Sequence, residues 1–421
     1  MSENKKPSIR FKGFTEAWEQ RKFDEMAEYK KGPFGSALKK EIFVPKSKNS
    51  VKVYEQQNAI NKNWKLERYF ITKEYAAELK GFETHGGDIL VSCAGTIGEM
   101  YELPDKSEVG VINQALMRVR VNEKVISKKL YQLLFTNMID DFSKEHSNGS
   151  AMKNIPPFAD LKAMDAMVPT LEEQKRIGIY FEQFDHLITL HQRKYDKLMN
   201  VKKSMLEKMF PRDVKNVPEI RFYGFTEAWE QRKLGEIADV TKLAGFEFTE
   251  HIVYSDEGSI IALRGLNVKN GQLVLDDVKY IDGSNFNKLS RSKLYLNDVL
   301  FTYVGTVGEL AIIPENERFY LAPNVSRIRF QEEYNASFMV EQMGSKSFFD
   351  NMIFPLIATS SQPALSMENI RKFIVSVPKE KSEQEKIGEY FSNLDHLITL
   401  HQREVEKLQN IKKSCLEKMF V

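Results

Sequence analysis

Two short polar stretches in this 421-residue chain carry side chains of the types that are suited to reading base edges in nucleic acid. Residues 56–61 read Q-Q-N-A-I-N, and residues 264–271 read R-G-L-N-V-K-N-G. Asn and Gln amides pair with adenine, and Arg and Lys donate to guanine, when loops carry them into a DNA groove. Polar loops are common, so either stretch alone is weak. Their recurrence at similar depth in the two halves, with different residues, favours two readers of different sequences.

Other features add further candidates. Residues 21–65 hold 11 Lys and Arg against 5 Asp and Glu, a run that indicates phosphate contacts or, more often, a solvated surface. An apolar strand runs into a G-T-x-G-E turn at 95–99 and again at 305–309. Weaker echoes pair residues 150–155 with 360–365 and Asn113 with Asn324. The candidate DNA-binding residues are Lys39, Lys40, Gln57, Asn58, Asn61, Thr96, Asn113, Lys153, Arg264, Asn267, Lys269, Tyr303, Thr306, Asn324, Ser361 and Gln362.

Catalytic motifs are poorly represented. Residues 155–158 (I-P-P-F) resemble the N-P-P-F/Y box of amino-methyltransferases, but an apolar Ile replaces the polar first residue. Asp24, Glu28 and Lys30 match a loose nuclease pattern that arises readily in a chain rich in Lys and Glu. No G-x-x-x-x-G-K-[ST] phosphate loop occurs, and two cysteines exclude a disulfide framework and a Cys-rich zinc site. We therefore expect no catalytic residue, metal or cofactor in this chain.

The elements that must position these residues are duplicated. Residues 7–22 and 218–233 are identical at 14 of 16 positions, and residues 174–210 and 384–420 at 25 of 37. The inserts between them barely resemble each other, but both show the short strands and glycine-marked turns of a mixed α/β fold. With 42% hydrophobic and 29% charged residues, the chain has an ordinary globular composition and room for two or three domains. Two copied scaffold segments thus hold two different inserts.

The second duplicated segment has the apolar periodicity of a long helix. In each copy apolar residues recur at spacings of three and four over about five heptads, the pattern of a coiled-coil seam, and Lys202 and Lys412 interrupt it near the end. A four-helix-bundle face is the other interpretation. Two matching long helices favour a two-helix rod over 172–209 and 382–420. The candidate interface residues are Gln174, Ile177, Phe181, Phe184, Ile188, His191, Gln384, Ile387, Phe391, Leu394, Ile398 and His401.

The helix starts carry a capping signal. Thr170 with Glu173, and Ser382 with Glu385, have the spacing of a capping box, in which each residue satisfies a backbone N–H of the first turn. Pro211 stops the first helix. The sequence therefore predicts that both helices begin at equivalent boxes.

Symmetry predicts two contacts. His191 and His401 lie on the seam near the helix midpoints, where antiparallel helices related by a twofold axis cross, so their rings should approach each other. Two adjacent imidazoles tolerate at most one charge, and acidification toward pH 5 should weaken the helix pair. By the same symmetry Phe420 should lie beside the first duplicated block, residues 9–22. That block is best interpreted as a clip that docks an insert onto the helices.

Together these motifs resemble the specificity subunit of a type I restriction–modification system, over essentially the whole chain. The resemblance rests on the twofold repeat, on W-E-Q-R-K-[FL]-x-E-[MI]-A at 18–27 and 229–238, on the G-T-x-G-E turn, and on the E-Q-x-x-I-G helix start. It implies an α/β (α+β) fold. Two similar globular target recognition domains would be joined by two long antiparallel coiled-coil helices, as a pseudo-twofold internal repeat.

The resemblance also implies a role and partners. Each insert would read one half of a bipartite DNA target, the helices would set the spacer, and the chain itself would be non-catalytic. The partners would be double-stranded DNA, two adenine methyltransferase subunits and motor–nuclease subunits, which bind S-adenosylmethionine, ATP and Mg²⁺. A net charge of only +2 fits, because partners can supply part of the phosphate clamp. No apolar run of 18 residues occurs, so we expect a cytoplasmic protein without a membrane span.

The segments expected on this basis follow the repeat. They are a docking segment (1–22), a first recognition domain (23–167), a first helix (168–210), a linker with the second docking segment (211–233), a second recognition domain (234–376) and a second helix (377–421). One alternative is the specificity portion of a single-chain or two-component restriction–methylation enzyme, which would need catalytic boxes that are absent. Another is a protein-only coiled-coil scaffold, which leaves unexplained why two inserts share a fold but not a surface.

Overall fold

The computed structural model describes residues 7–146, 155–211, 216–243, 245, 250–357 and 363–420. The chain forms two compact units, Met1–Leu190 with Val405–Val421 and His191–Glu404. Each unit contains one insert and one half of each long helix. Within the described ranges, no helix is long and apolar enough to cross a membrane.

The first unit is a mixed α/β structure. Its strands are β1 (Glu19–Lys22), β2 (Ala27–Lys31), β3 (Ser50–Tyr54), β4 (Tyr69–Thr72), β5 (Glu83–Thr84), β6 (Ile89–Ser92), β7 (Met100–Glu102), β8 (Gly110–Ile112), β9 (Leu116–Val121) and β10 (Asp165–Val168). Its α-helices are α1 (Phe23–Met26), α2 (Gln56–Ile60), α3 (Lys73–Glu78), α4 (Lys128–His146), α5 (Phe158–Ala163) and the start of α6 (Leu171–Lys208). One antiparallel sheet has the order β2-β9-β6-β7. A second has the order β4-β3-β8-β5, in which β3 and β8 are parallel.

The second unit repeats this plan. Its strands are β11 (Glu230–Lys233), β12 (Ala238–Lys242), β13 (Ile261–Leu263), β14 (Val268–Lys269), β15 (Gln272–Leu273), β16 (Lys279–Tyr280), β17 (Val299–Thr302), β18 (Leu310–Ile312), β19 (Phe319–Leu321), β20 (Val325–Phe330) and β21 (Ile374–Val377). Its α-helices are α7 (Leu234–Ile237), α8 (Ala336–Met343), α9 (Lys346–Phe348), α10 (Met367–Arg371) and the start of α11 (Lys381–Met419). The order β12-β20-β17-β18 matches β2-β9-β6-β7, and the second sheet is β16-β13-β19 with β13 and β19 parallel. The prediction that the inserts share one fold is confirmed.

Both faces of the four-stranded sheet are covered, which explains why the first three residues of its central strand β6, Ile89, Leu90 and Val91, are all apolar. In the first unit Ile89 and Val91 pack in the core that includes α4 and the long helix. Leu90, on the other face, packs with Tyr54 and Ile112 of the second sheet. A strand buried on both faces reads as a continuous apolar run instead of an alternating one.

Buried ion pairs recur at equivalent places in the two inserts. Arg120 donates to both carboxylate oxygens of Asp88, at 2.7 and 3.1 Å. Arg329 makes the same two bonds to Asp298, at 2.7 and 2.7 Å. Both carboxylates are buried, so removing either arginine would leave an unpaired internal charge.

The two long helices are antiparallel partners inside each unit, as predicted, and each begins and ends one residue earlier than predicted. In the first unit Lys412 of α11 donates to Asp185 of α6 at 2.5 Å. In the second unit Lys202 of α6 donates to both oxygens of Asp395 of α11 at 2.7 Å. The two lysines that interrupt the seam therefore each pair with the duplicated aspartate of the opposite helix.

The N-terminal turns of the long helices belong to the insert cores, which corrects part of the predicted seam. Gln174 Nε2 donates to the carbonyl oxygens of Val125 and Pro169, and its Oε1 accepts from the Ser127 N–H at 2.7 Å. Gln384 makes the equivalent bonds to residues of its own unit, including Asn335. Both amides are buried. Gln174 and Gln384 thus fasten each helix to its insert, and they are not coiled-coil interface residues.

The other predicted seam residues divide into two groups. Ile177, Phe181, Ile387 and Phe391 are fully buried within the insert cores. Further along, the side chains are less completely covered; these are Phe184, Ile188, His191, Leu394, Ile398 and His401. The 19-residue helix α4, which was not predicted, packs beside the start of α6, where Lys129 donates to Asp185 at 2.7 Å.

The predicted capping boxes are wrong in detail. Thr170 caps α6, but the Glu173 carboxylate binds the Arg10 guanidinium through two 2.7 Å bonds instead of closing a box. The second helix begins at Lys381, so Ser382 lies inside it. The equivalent of Glu173 is Glu383, which binds Arg221. Each of these carboxylates is completely buried and therefore needs a cationic partner, which an arginine of the docking block provides.

The docking blocks lie where the symmetry of the sequence predicts. Trp18 is buried 6.0 Å from the ring of Phe420, and the Ile9 N–H donates to the Lys418 carbonyl at 3.1 Å. Trp229 has the same relation to Phe210, at 6.1 Å. The following strands close each insert, because β1 pairs with β10 and β11 with β21. The predicted contact of Phe420 with the first block is confirmed.

Candidate nucleic-acid interface

Each insert has a site between the N-terminus of a short helix and the G-T-x-G-E turn, which we call the turn site. In the first insert it lies between α2 and residues 95–99. In the second it lies between the 3₁₀ helix Gly265–Asn267 and residues 305–309. Gln56 closes the first site, because its Nε2 donates to the carbonyl oxygens of Ala94 and Thr96.

The turn itself is built the same way twice. The Ser92 hydroxyl donates to the Thr96 carbonyl at 2.5 Å and accepts from the Glu99 N–H at 3.0 Å. In the second insert Thr302 makes both bonds, to Thr306 and Glu309. The turn glycines have positive φ, +79° at Gly98 and +100° at Gly308, which is why glycine is needed there. The exposed threonines Thr96 and Thr306 are therefore carried on a rigid loop.

The structure corrects the roles predicted for Asn58 and Asn267. Asn58 Oδ1 accepts from the Glu55 N–H at 2.8 Å, and its Nδ2 donates to the carbonyl oxygens of Asn63 and Leu66. Asn267 makes the equivalent set of three bonds, the first of them from the Arg264 N–H at 3.0 Å. Both side chains are buried. They stabilise the loop, and their amides are not offered to a base edge.

The predicted correspondence between Asn113 and Asn324 is also wrong. The Tyr303 N–H donates to the Asn324 carbonyl, whereas the equivalent Cys93 N–H donates to Ala115. Asn324 is thus the counterpart of Ala115, two residues beyond Asn113. Asn113 instead uses its Oδ1 to accept from the Ala115 N–H at 3.1 Å. Asn324 is exposed and has a positive φ of 71°.

Three predicted residues converge in the second insert. Arg264, Thr306 and Asn324 line one cavity of about 590 Å³, together with Tyr254 and Lys279. Neither of the last two was predicted, because Tyr254 comes from a loop and Lys279 from β16, both outside the polar stretches that the sequence singles out. We call this the second-insert cavity.

Tyr303 lies next to this cavity. Its N–H bonds to Asn324 at 3.1 Å, and its carbonyl accepts from the Leu365 N–H at 2.8 Å. The ammonium of Lys242 lies 5.4 Å from the ring centroid. Burial raises the pKa of Tyr303, so the phenol stays neutral and acts as a hydrogen-bonding group.

The remaining candidates are scattered. Gln57 and Asn61 are exposed on and just after α2, and the Asn61 amide donates to Gln57 Oε1 at 2.9 Å. Lys39, Lys40 and Lys269 are exposed on other loops and strands. Three further candidates, Lys153, Ser361 and Gln362, lie outside the described residues.

A second cavity, of about 600 Å³, lies in the first insert and was missed by sequence reasoning. Its lining includes Lys46, Lys52, Lys73 and Lys80. Lys52 is buried, its ammonium donates to the Trp64 carbonyl, and burial lowers its pKa. The lysines come from separate elements, and only their abundance was visible in the sequence.

The residues of the weak catalytic patterns have structural roles. Asp24 pairs with Lys162 at 2.8 Å, and Glu28 pairs with Arg118 at 2.6 Å. Phe158 packs edge-on against Tyr29, with ring centroids 6.2 Å apart. In the described part of the chain, no group of three or more His, Cys, Asp and Glu side chains is placed to hold a metal ion.

Comparison with known proteins decides the family. The family model of the type I restriction modification DNA specificity domain matches residues 15–200 and 226–410. The chain belongs to this family. The two matches correspond to the two repeats, and each specificity domain includes an insert and most of one long helix.

Individual relatives agree. The chain is 22% identical over 318 residues to a Methanocaldococcus jannaschii protein, the type I restriction enzyme MjaVIII specificity subunit, covering 73% of this chain and 72% of that one. The S subunit of a type I restriction–modification system from M. genitalium superposes with a TM-score of 0.58 at 16% identity, covering 99% of both chains. A chain from a structural study of type I R-M assembly gives 0.51 at 12% identity, covering 96% and 97%. The predicted family and fold class are confirmed.

Both specificity domains present the same apolar surface on their helices. Leu187 and Leu190 in the first domain, and Leu397 and Leu400 in the second, are 38–44% exposed. Residues three apart lie on one face of a helix, so each pair forms one patch. We call these the leucine patches. They lie within the identical stretches 185–193 and 395–403.

Proposed function

We propose that this chain is the DNA sequence-specificity subunit of a type I restriction–modification complex, with each insert reading one half of a bipartite target. The observation that carries the proposal is the pair of turn sites. Their backbone frameworks are the same, yet Gln56 fills the first and Gly265 leaves the second open. A shared frame with different side chains is what two readers of different half-sites require.

The leucine patches support a role in recruiting partners. Exposed leucines on a helix are costly in water and favour a protein partner. The patch occurs once in each repeat, with identical sequence around it. We therefore propose that two copies of an adenine methyltransferase subunit bind, one at each patch, and that motor–nuclease subunits join the complex.

We propose that the chemistry belongs to those partners. S-adenosylmethionine would be bound by the methyltransferase subunits, and ATP and Mg²⁺ by the motor–nuclease subunits. This chain would act without catalysis, in the cytoplasm. Its helices would set the spacer between the half-sites, because α6 continues unbroken from the first unit into the second.

Co-expression with a partner methylase tests the role. Sequencing that detects N6-methyladenine should find a two-part motif with a spacer of fixed length. Methylation by this chain alone would favour the single-chain enzyme instead. An absence of any sequence motif in the presence of the methylase would favour a protein-only scaffold.

The docking surface has its own test. Leu187→Glu with Leu397→Glu should abolish methylase binding while leaving the thermal unfolding of the chain unchanged. Ile179→Glu is a matched control, because Ile179 is also exposed on α6 and the second copy already has Glu389 at that position. Undiminished binding by the double variant would contradict the assignment of the patches.

A further inference from the structure

We propose that the second-insert cavity receives the edge of a guanine in the half-site read by the second domain, with Arg264 as the residue that selects it. This inference rests on the proposed function and gives one of its half-sites a chemical identity. It depends on four features of the two turn sites. They are the space beside Gly265, the fixed guanidinium of Arg264, the hydrogen-bond donors among the residues that line the cavity, and the Gln56 side chain that fills the equivalent site of the first insert.

The gap is open because of one residue. Gln56 and Gly265 occupy equivalent positions. Gln56 follows Glu55, whose N–H donates to Asn58, and Gly265 follows Arg264, whose N–H donates to Asn267. The Gln56 amide spans the first turn site and occupies the turn carbonyls. Glycine cannot do this, and the second site is left as a cavity of about 590 Å³.

The cation is held in place from one side. Arg264 Nη2 donates to the carbonyl and to one carboxylate oxygen of Asp277, each at 2.9 Å. Its Nε is buried and has no hydrogen-bond partner in the described part of the chain. A guanidinium anchored in this way loses little conformational freedom on binding, which favours bidentate recognition.

The walls are rich in hydrogen-bond donors. Lys279 adds a second cation, which pairs with Asp256, and Thr306 and Asn324 add a hydroxyl and an amide. Guanine presents two acceptors, O6 and N7, on its major-groove edge, and Arg is their most common partner. Cytosine presents a donor there, and adenine a donor beside one acceptor, so Arg264, which can only donate, discriminates against both.

The first insert is the natural comparison. The residue equivalent to Arg264 is Glu55, which cannot donate to guanine. The two turn sites therefore differ in both charge and space, and the prediction concerns the second half-site alone.

The test uses the complex of the full chain with its methylase on DNA whose target positions are randomised. Arg264→Ala should reduce the preference for guanine at one position of one half-site by about 5- to 150-fold, the range for one lost bidentate pair. Gly265→Gln should have the same effect by closing the cavity. A Cβ at residue 265 meets only Asn324 Cβ, at an ordinary 3.7 Å, so the variant should fold.

Arg318→Ala is the matched control. Arg318 is an exposed arginine of the same domain that pairs with Glu315 at 2.8 Å, away from the cavity, and its loss should change no base preference. Unchanged guanine preference in both test variants, each folded by thermal melting, would overturn the inference while leaving the bipartite motif intact. If the wild-type complex showed no motif at all, the proposed function itself would fail.

Discussion

Asn58 and Asn267 show that the type of a residue does not reveal whether its side chain is buried. Both were expected to read DNA because amides suit base edges, but both are buried and each makes three internal bonds. The sequence displays polarity and not burial, so a loop-stabilising amide looks the same as a reading amide. Arg264 and Thr306, by contrast, line the second-insert cavity, and their role in reading DNA stays a prediction.

Replacing the buried amide should therefore affect stability. Asn267→Ala leaves backbone groups unsatisfied, and each such group costs about 1–3 kcal/mol. We expect a clear fall in the thermal unfolding midpoint, whereas Asn287→Ala, at an exposed position of the same insert, should have little effect. Normal stability combined with an altered DNA motif would show that the Asn267 amide reads DNA after all.

Glu341 is a second residue with a measurable signature. Its carboxylate lies 3.0 Å from the Lys202 ammonium, which also binds Asp395. Burial raises the pKa of Glu341 to about 7, and the neighbouring Asp395 adds to the shift. The folded form therefore holds a proton more tightly than the unfolded form, and the stability from this group declines as pH rises from about 4.5 through 7.

Glu341→Gln should remove that dependence. Relative to the parent chain, the variant should gain stability at pH 8 compared with pH 6, because Gln is never charged. Chemical denaturation at both pH values measures the difference. An equal effect of the substitution at both values would mean that Glu341 is ionised throughout.

At the scale of elements, the long helices were predictable and α4 was not. A seven-residue period sustained over 37 positions and copied twice is a strong signal, whereas α4 lies in one insert and its equivalent in the other is divided into α8, α9 and a π-helix at Phe349–Ile353. Two-residue strands such as β14 and β15 carry no period at all. Of the cavity residues that were missed, Lys279 lies on the two-residue strand β16, and Tyr254 lies in a loop just before the isolated bridge from Ser255 to Tyr280.

The histidine pair offers a test of the helix packing. His191 and His401 lie in contact, with their Nδ1 atoms 3.0 Å apart, as symmetry predicted. Burial lowers the pKa of His401, and the nearby His191 and Lys194 lower it further. Neutral His401 therefore stabilises the fold fully above about pH 6.5, the ordinary pKa of histidine. This stabilisation is lost as the pH falls toward the lower pKa that His401 has in the folded state.

Acidification from pH 7 to pH 5 should therefore lower the free energy of unfolding of the parent chain more than that of the double variant His191→Leu/His401→Leu. The sign is opposite to that of Glu341, whose contribution to stability increases on acidification, so the two effects are separable. Denaturation curves of both proteins at pH 5, 6 and 7 provide the comparison. Identical pH dependence of the two proteins would rule out the pair as the cause.

At the scale of the whole molecule, the repeat in the sequence was the most informative feature. It predicted two inserts of one fold, helices that pair antiparallel and a docking block beside Phe420, and it did so because duplicated segments keep the same contacts. The half-site sequences were not predictable, because a sequence alone does not show which exposed side chains reach a base edge.

The proposed role of the helices as a spacer gives a further prediction. Deleting residues 187–193 and 397–403 together removes one heptad, roughly 10 Å, from each helix. The deletion also removes the leucine patches, so the measurement is DNA binding by the chain and not methylation. The motif that the chain selects from a randomised DNA pool should have a spacer shorter by about three base pairs, at 3.4 Å for each pair, while both half-sites stay the same. An unchanged spacer would show that the helices do not set it.

Exchange of one insert tests the central claim most directly. Residues 23–164 lie between the paired strands β1 and β10, so a family member's insert can replace them there without breaking that pair. The chimera is expressed with the methylase, and its motif is mapped by sequencing that detects N6-methyladenine. Two independent readers predict that one half-site changes while the other half-site and the spacer are retained. A change in both half-sites would contradict the account.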